Sequence, residues 1–129
     1  MKDDITEYKK SEDDSKIIEN LLISFPEFVE SEERSHIFDE DGPYIFFSYF
    51  GNFLLEKIDE NNDSEFVHRT FAFINSYFDD SVISQAVWDL FNIEIFWRLK
   101  LKTKYKNLAN KHLKGKALLA FQKEEGRPE

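Results

Sequence analysis

The chain has no cysteine. Disulfides and thiolate metal sites are therefore excluded, and the stapled scaffold of small secreted domains does not apply. Glycine occurs four times and proline three times in 129 residues. That leaves little material for a phosphate-cradling loop, and Lys114-Gly115-Lys116 alone does not make one. No nucleophile elbow and no Ser-His-Asp order is present. No run approaches the roughly 18 apolar residues that a membrane span needs, so no membrane role is expected. The opening MKDDITEYKKSEDD is polar and acidic and lacks the apolar stretch of a secretory signal, which sets the expectation of a cytoplasmic protein. Bases are the minority charge, 17 against 26 acids, for a formal net charge of −9.

Aromatic residues are in surplus. Phe alone occurs 14 times. A core of that composition is expected to pack ring edge against ring face. Six of the ten residues from Tyr44 to Phe53 are Phe or Tyr. Apolar residues recur at helical spacing along most of the chain: Ile17, Ile18, Leu21, Leu22 and Phe25; Tyr44, Phe47, Phe50, Leu54 and Ile58; Phe66, Val67, Thr70, Phe71, Ile74, Tyr77 and Phe78. Val82, Ile83, Ala86, Val87, Leu90, Phe91, Ile93, Phe96 and Trp97 follow, with a kink expected near Asn92. Then come Leu101, Tyr105, Leu108, Ala109, His112 and Leu113. Pro26 ends the first helix near Ser24 and opens a short turn to Glu33. A loop over 34–42 is anchored by Ile37 or Phe38. Gly42-Pro43 opens the aromatic helix, because proline lacks only an N–H that has no partner there. Gly51 lies inside that helix and suits a close approach by another one. Asn62 with Glu65 resembles a capping box, and Asp79-Asp80-Ser81 caps the helix after it. The basic helix starts at about Thr103 and Gly115 ends or bends it. The expectation is an all-α single domain over residues 11–123, a bundle of five or six helices with an aromatic-rich core. Residues 1–10 are expected to form a flexible acidic N-terminus and 124–129 a tail.

The motifs exclude more than they propose. The acidic run Asp59 to Glu65 has oxygen ligands at alternate positions. Yet Ser64 stands where a calcium loop needs glycine, and Thr70 where it needs glutamate. His36, His68 and His112 have no metal-ligand spacing, so neither a metal nor a cofactor is expected. Glu94 lies in an apolar stretch, and Arg98 is at the right spacing to pair with it. That reads as a structural ion pair, and a catalytic site around Glu94, His68 or His112 ranks third among the functional readings. The second is a nucleic-acid-binding or regulatory module. Arg98 to Lys106 alternates base with neutral residue, Lys111, Lys114 and Lys116 extend the patch, and Tyr105 is placed to stack on a base. A net charge of −9 opposes that reading at long range.

Charge is divided along the chain. Residues 1–65 carry 19 acids against 6 bases, and residues 99–129 carry 9 bases against 3 acids. An acidic loop meets the aromatic helix at Glu32, Glu33, Asp39, Glu40, Asp41 and Tyr44, which marks these as candidate contacts for a partner of opposite charge. Three further pieces are Phe25-Pro26-Glu27, Pro43-Tyr44-Ile45-Phe46-Phe47, and Phe71-Ala72-Phe73-Ile74 running through Asp80 to Val82 and Val87. In that order, over roughly residues 15–100, they resemble a family of small helical bacterial proteins similar to the immunity proteins of contact-dependent and other polymorphic toxin systems. The resemblance implies a non-enzymatic protein that binds and neutralises a cognate toxin domain. The acidic front half points to a basic nuclease as that toxin. The basic C-terminal helix is outside the resemblance, and the aromatic surplus leaves a homodimer open.

Overall fold

A computed structural model describes residues 16–79 and 83–126 of the chain. The expectations for residues 1–10, for the start of the first helix and for the cap at Asp80-Ser81 lie outside the described residues.

The protein is all-α, with no strand among the described residues. Helix α1 covers residues 16–24, and two single turns follow, α2 (Pro26–Val29) and α3 (Glu32–Ser35). The aromatic helix α4 is Pro43–Glu60 and α5 is Glu65–Asp79. Next comes one continuous run made of α6 (Gln85–Leu90), a π-helical segment (Phe91–Phe96) and α7 (Trp97–Leu99). Helices α8 (Thr103–His112) and α9 (Gly115–Gly126) complete the order. Counting that run as one, six longer helices lie among the described residues, in line with the expected bundle. Helix α9 continues to Gly126, past the expected domain end at residue 123.

Local chemistry explains the breaks. Pro43 sits in the first turn of α4, as its missing N–H requires. Ser31 caps α3, its Oγ accepting from the Arg34 N–H at 3.2 Å. The cap before α5 is Ser64 and not Asn62: Ser64 Oγ accepts from Val67 N–H at 3.2 Å, while Asn61 Oδ1 takes up the Asp63 N–H. Ser64 is one residue from Glu65, so it alone has the spacing to reach the first free amides. Ser84 caps α6 in the same way. Gly115 takes a left-handed φ of 54° between α8 and α9, which explains a glycine there. Asn75 holds that junction from α5. Its Nδ2 donates to the His112 carbonyl at 3.1 Å, and its Oδ1 accepts from the Lys114 N–H at 2.9 Å.

The core is a chain of rings. Phe25 packs against Phe50, Phe66 and Phe73, Phe28 against Phe50 and Phe53, and Phe47 edge-on against Phe91. Phe78, Phe96 and Phe121 continue it into α9. Each such pair adds about 0.5–1.5 kcal/mol beyond area burial. Of the two expected loop anchors, Ile37 is buried and Phe38 is 67% exposed.

The π-helical segment changes which residues face inward. A regular helix continuing from Val87, Leu90 and Phe91 would turn residues 94, 95 and 98 to the core. The wider turn, with Trp97 N–H donating to the Asn92 carbonyl, buries Asn92, Ile95, Phe96 and Leu99 instead. Ile93 and Trp97, expected on the apolar face, are 54% and 59% exposed. Leu101, expected beside Tyr105, is also exposed because it lies in the turn before α8.

Candidate partner-binding surface

Helix α4 organises the surface. Its core stripe includes Phe46, Phe47, Phe50, Phe53, Leu54 and Ile58. The opposite side carries Ile45, Ser48, Asn52 and Glu56, which the 3.6-residue period places on one ridge. Helix α3 and the loop after it lie along one flank of the ridge. Arg34 stands over the Phe46 ring at 5.1 Å, and His36 stacks on Tyr49 at 6.1 Å. The π segment and α7 lie along the other flank. There Arg98 donates to Asn52 Oδ1 at 3.0 Å and Ser48 Oγ at 3.0 Å.

The six candidate residues lie on α3, in the loop after it and at the start of α4. Glu32, Asp39 and Glu40 are exposed, and Glu33 is half-buried. Asp39 reaches Arg34 only at 3.8 Å with its own side chain in solvent, a contact of little energetic weight. Arg34 is otherwise occupied by the Phe46 ring and by the Ile37 carbonyl at 3.0 Å. Glu33 stands next to Glu56 of α4. Burial and the adjacent Glu33 push the Glu56 carboxyl above the ordinary carboxylate range. Glu32, Glu33, Glu40 and Glu56 make no ion pair among the described residues. Tyr44 is 42% exposed one turn before Ser48, and Ile45 and Phe38 are also exposed.

Asp41 departs from the expectation. Its Oδ2 accepts from the Phe38 N–H at 2.8 Å, while its own N–H donates to the Phe38 carbonyl at 2.9 Å. Two bonds close the loop before α4, so Asp41 is a structural clasp. That clasp also holds Phe38 outward. Phe38, expected as a loop anchor, and Ile93 and Trp97, expected in the core, are surface residues.

The second and third readings are constrained by geometry. Tyr105 is buried, and its hydroxyl meets the Asp59 carboxylate at 3.0 and 3.1 Å, so it is not available to stack on a base. Lys104 reaches the same carboxylate at 2.7 Å. Those two partners hold Asp59 below its usual range. Lys111, Lys114 and Lys116 remain exposed. Glu94 and Arg98 form the expected ion pair at 2.9 Å, both largely buried, and Arg98 also donates to the Glu94 carbonyl at 2.7 Å. His112 lies stacked on Phe71 with the His68 ring edge-on at 4.8 Å, and His68 bonds Asp63 at 2.7 Å. No group of three or more His, Cys, Asp or Glu among the described residues is arranged to hold a metal ion, and no described helix is long and apolar enough to cross a membrane.

Fold and surface together define a single all-α domain that presents an acidic flank beside exposed aromatic side chains. The chain belongs to the family DUF7674, a domain of unknown function, whose match covers residues 18–126. No curated protein and no solved structure matches it.

Proposed function

We propose that this domain is a cytoplasmic binding protein of the immunity type, which neutralises a cognate toxin domain by covering a basic, nucleic-acid-binding site. The observation that carries the reading is the flank formed by α3 and the loop to α4. Glu32, Glu33, Asp39 and Glu40 stand there with the exposed Phe38, Tyr44 is exposed at the start of α4, and Arg34 is already occupied. Carboxylates of this kind steer a cationic partner and occupy positions that its phosphate ligands would take, and exposed aromatics supply contact energy. Asp41 leaves the contact set and serves the loop.

The partner to test is the protein encoded by the adjacent gene. The expected outcome is co-purification of the two proteins, loss of the partner's nuclease activity on mixing, and binding that weakens with salt. An adjacent product with no toxic activity and no affinity for this chain defeats the reading. Retention of this chain on DNA or RNA at low salt, lost on replacing Lys111, Lys114 and Lys116, would favour the nucleic-acid alternative instead.

A further inference from the structure

We propose that the energetic anchor of the partner surface is Trp97 with Ile93, on the π-helical flank, and that this groove takes an apolar side chain of the basic partner. The proposal rests on the partner-binding reading above and extends it to a second, chemically different half of the same surface. The ridge of Ile45, Ser48 and Asn52 joins the two halves. Arg98 binds it from one side and the α3 loop packs on its other side.

Four observations converge on the groove. Asn92, Ile93, Glu94, Trp97 and Arg98 line a depression of about 390 Å³. Trp97 and Ile93 present most of their side chains to solvent, one helical turn apart on the same face. Ile93 lies in the π-helical segment and Trp97 directly follows it, and such segments recur at functional sites. Asn92 is only 6% exposed. Its Nδ2 donates to the Trp88 carbonyl at 3.1 Å, while its Oδ1 is shielded from solvent and has no partner among the described residues. The Glu94–Arg98 pair is satisfied internally, so this half carries no net charge and suits an apolar contact.

Charge decides the occupant. A second copy of this chain would set Glu32, Glu33, Glu40 and Glu56 against their own kind, with −9 on each molecule. A nucleic acid has the same sign of charge. A protein with a cationic surface complements the acidic flank and brings its apolar side chain to Trp97. Exposed tryptophans beside a satisfied polar rim are the residues on which binding energy concentrates.

The experiment uses the purified, catalytically inactivated product of the adjacent gene, with association and dissociation rates measured separately. Trp97→Ala is expected to weaken binding about 30-fold or more, almost wholly through faster dissociation. Trp97→Phe should retain most of the affinity. The variant with Glu32→Gln, Asp39→Asn and Glu40→Gln should slow association about tenfold at low salt and leave dissociation nearly unchanged. Trp97 is exposed, so an unchanged thermal midpoint is the folding control. If wild type binds and Trp97→Ala stays within about twofold of it, the anchor is refuted while the partner-binding reading stands. If wild type does not bind, both fall together.

Discussion

Gly51→Ala sets two known effects against each other. Within an exposed helix the substitution would stabilise by about 1 kcal/mol, because alanine restricts the unfolded chain. Here the π segment crosses α4 at that glycine. A Cβ would lie 2.7 Å from Arg98 Cδ, 3.0 Å from Arg98 Nε and 3.0 Å from the Glu94 carbonyl oxygen. Arg98 can swing away only by leaving Asn52, Ser48 and both Glu94 acceptors. Hydrogen bonds to a charged group are each worth about 1.5–3 kcal/mol, and water replaces part of that at a site this near the surface. The carbonyl contact is backbone and needs a small shift of the whole segment. Losing about half the network costs roughly 2–4 kcal/mol, so the net destabilisation is about 1–3 kcal/mol after the propensity gain. Urea unfolding measures it directly: the midpoint should fall with an unchanged slope. In an Arg98→Ala background two of the three close contacts disappear, and Gly51→Ala should then be nearly neutral. A wild-type background in which Gly51→Ala raises stability by about 1 kcal/mol would refute the close-packing argument.

Other perturbations follow from the same geometry. His112 is kept below its ordinary value near 6.5, first by burial and then by the charge of His68. The unfolded chain therefore binds a proton that the fold resists, and stability should fall as pH drops from 7 to 5. Thermal midpoints across that range should flatten for His112→Gln. Arg69 holds both oxygens of Glu27, at 3.0 and 2.9 Å, tying α2 to α5, and its bonds lower the Glu27 carboxyl. That stability is present above pH 4.5 and is lost as pH falls through the depressed value. Arg69→Lys cannot keep the two-pronged contact and should cost about 1–2 kcal/mol at pH 7 in denaturant titrations. Glu56 has a raised carboxyl, so its ionisation opposes folding as pH rises past its ordinary value. Glu56→Gln should therefore raise the thermal midpoint at pH 7 and have little effect at pH 3.5.

Much of the architecture was legible before any coordinates. Pro43 marked the start of α4 because its ring suits only a first turn. Gly51 was read as a place of close approach, and the neighbour that comes closest is Arg98. The Glu94–Arg98 pair followed from four-residue spacing within one helix. The acids of the α3 loop came next to Tyr44 because they precede it by only a few residues. Local rules were enough in each case. They were insufficient for Asp41, whose side chain had a choice between solvent and the Phe38 amide. They were insufficient for Tyr105 too, since the carboxylate that holds it belongs to α4.

The division has a physical basis. Composition, apolar period and helix-ending residues by themselves determined an all-α aromatic domain with an acidic front, because each is a property of one segment. Tertiary packing decided which flanks of α4 are occupied, by α3 on one side and Arg98 on the other. The extra residue in the π-helical turn sets the outward face of the fourth long helix. A regular 3.6-residue period extrapolated from Val87 puts residues 94 and 98 inward. The wider turn at Phe91–Phe96 rotates the following face by about one residue, and Trp97 ends in solvent beside an unpaired Asn92 oxygen.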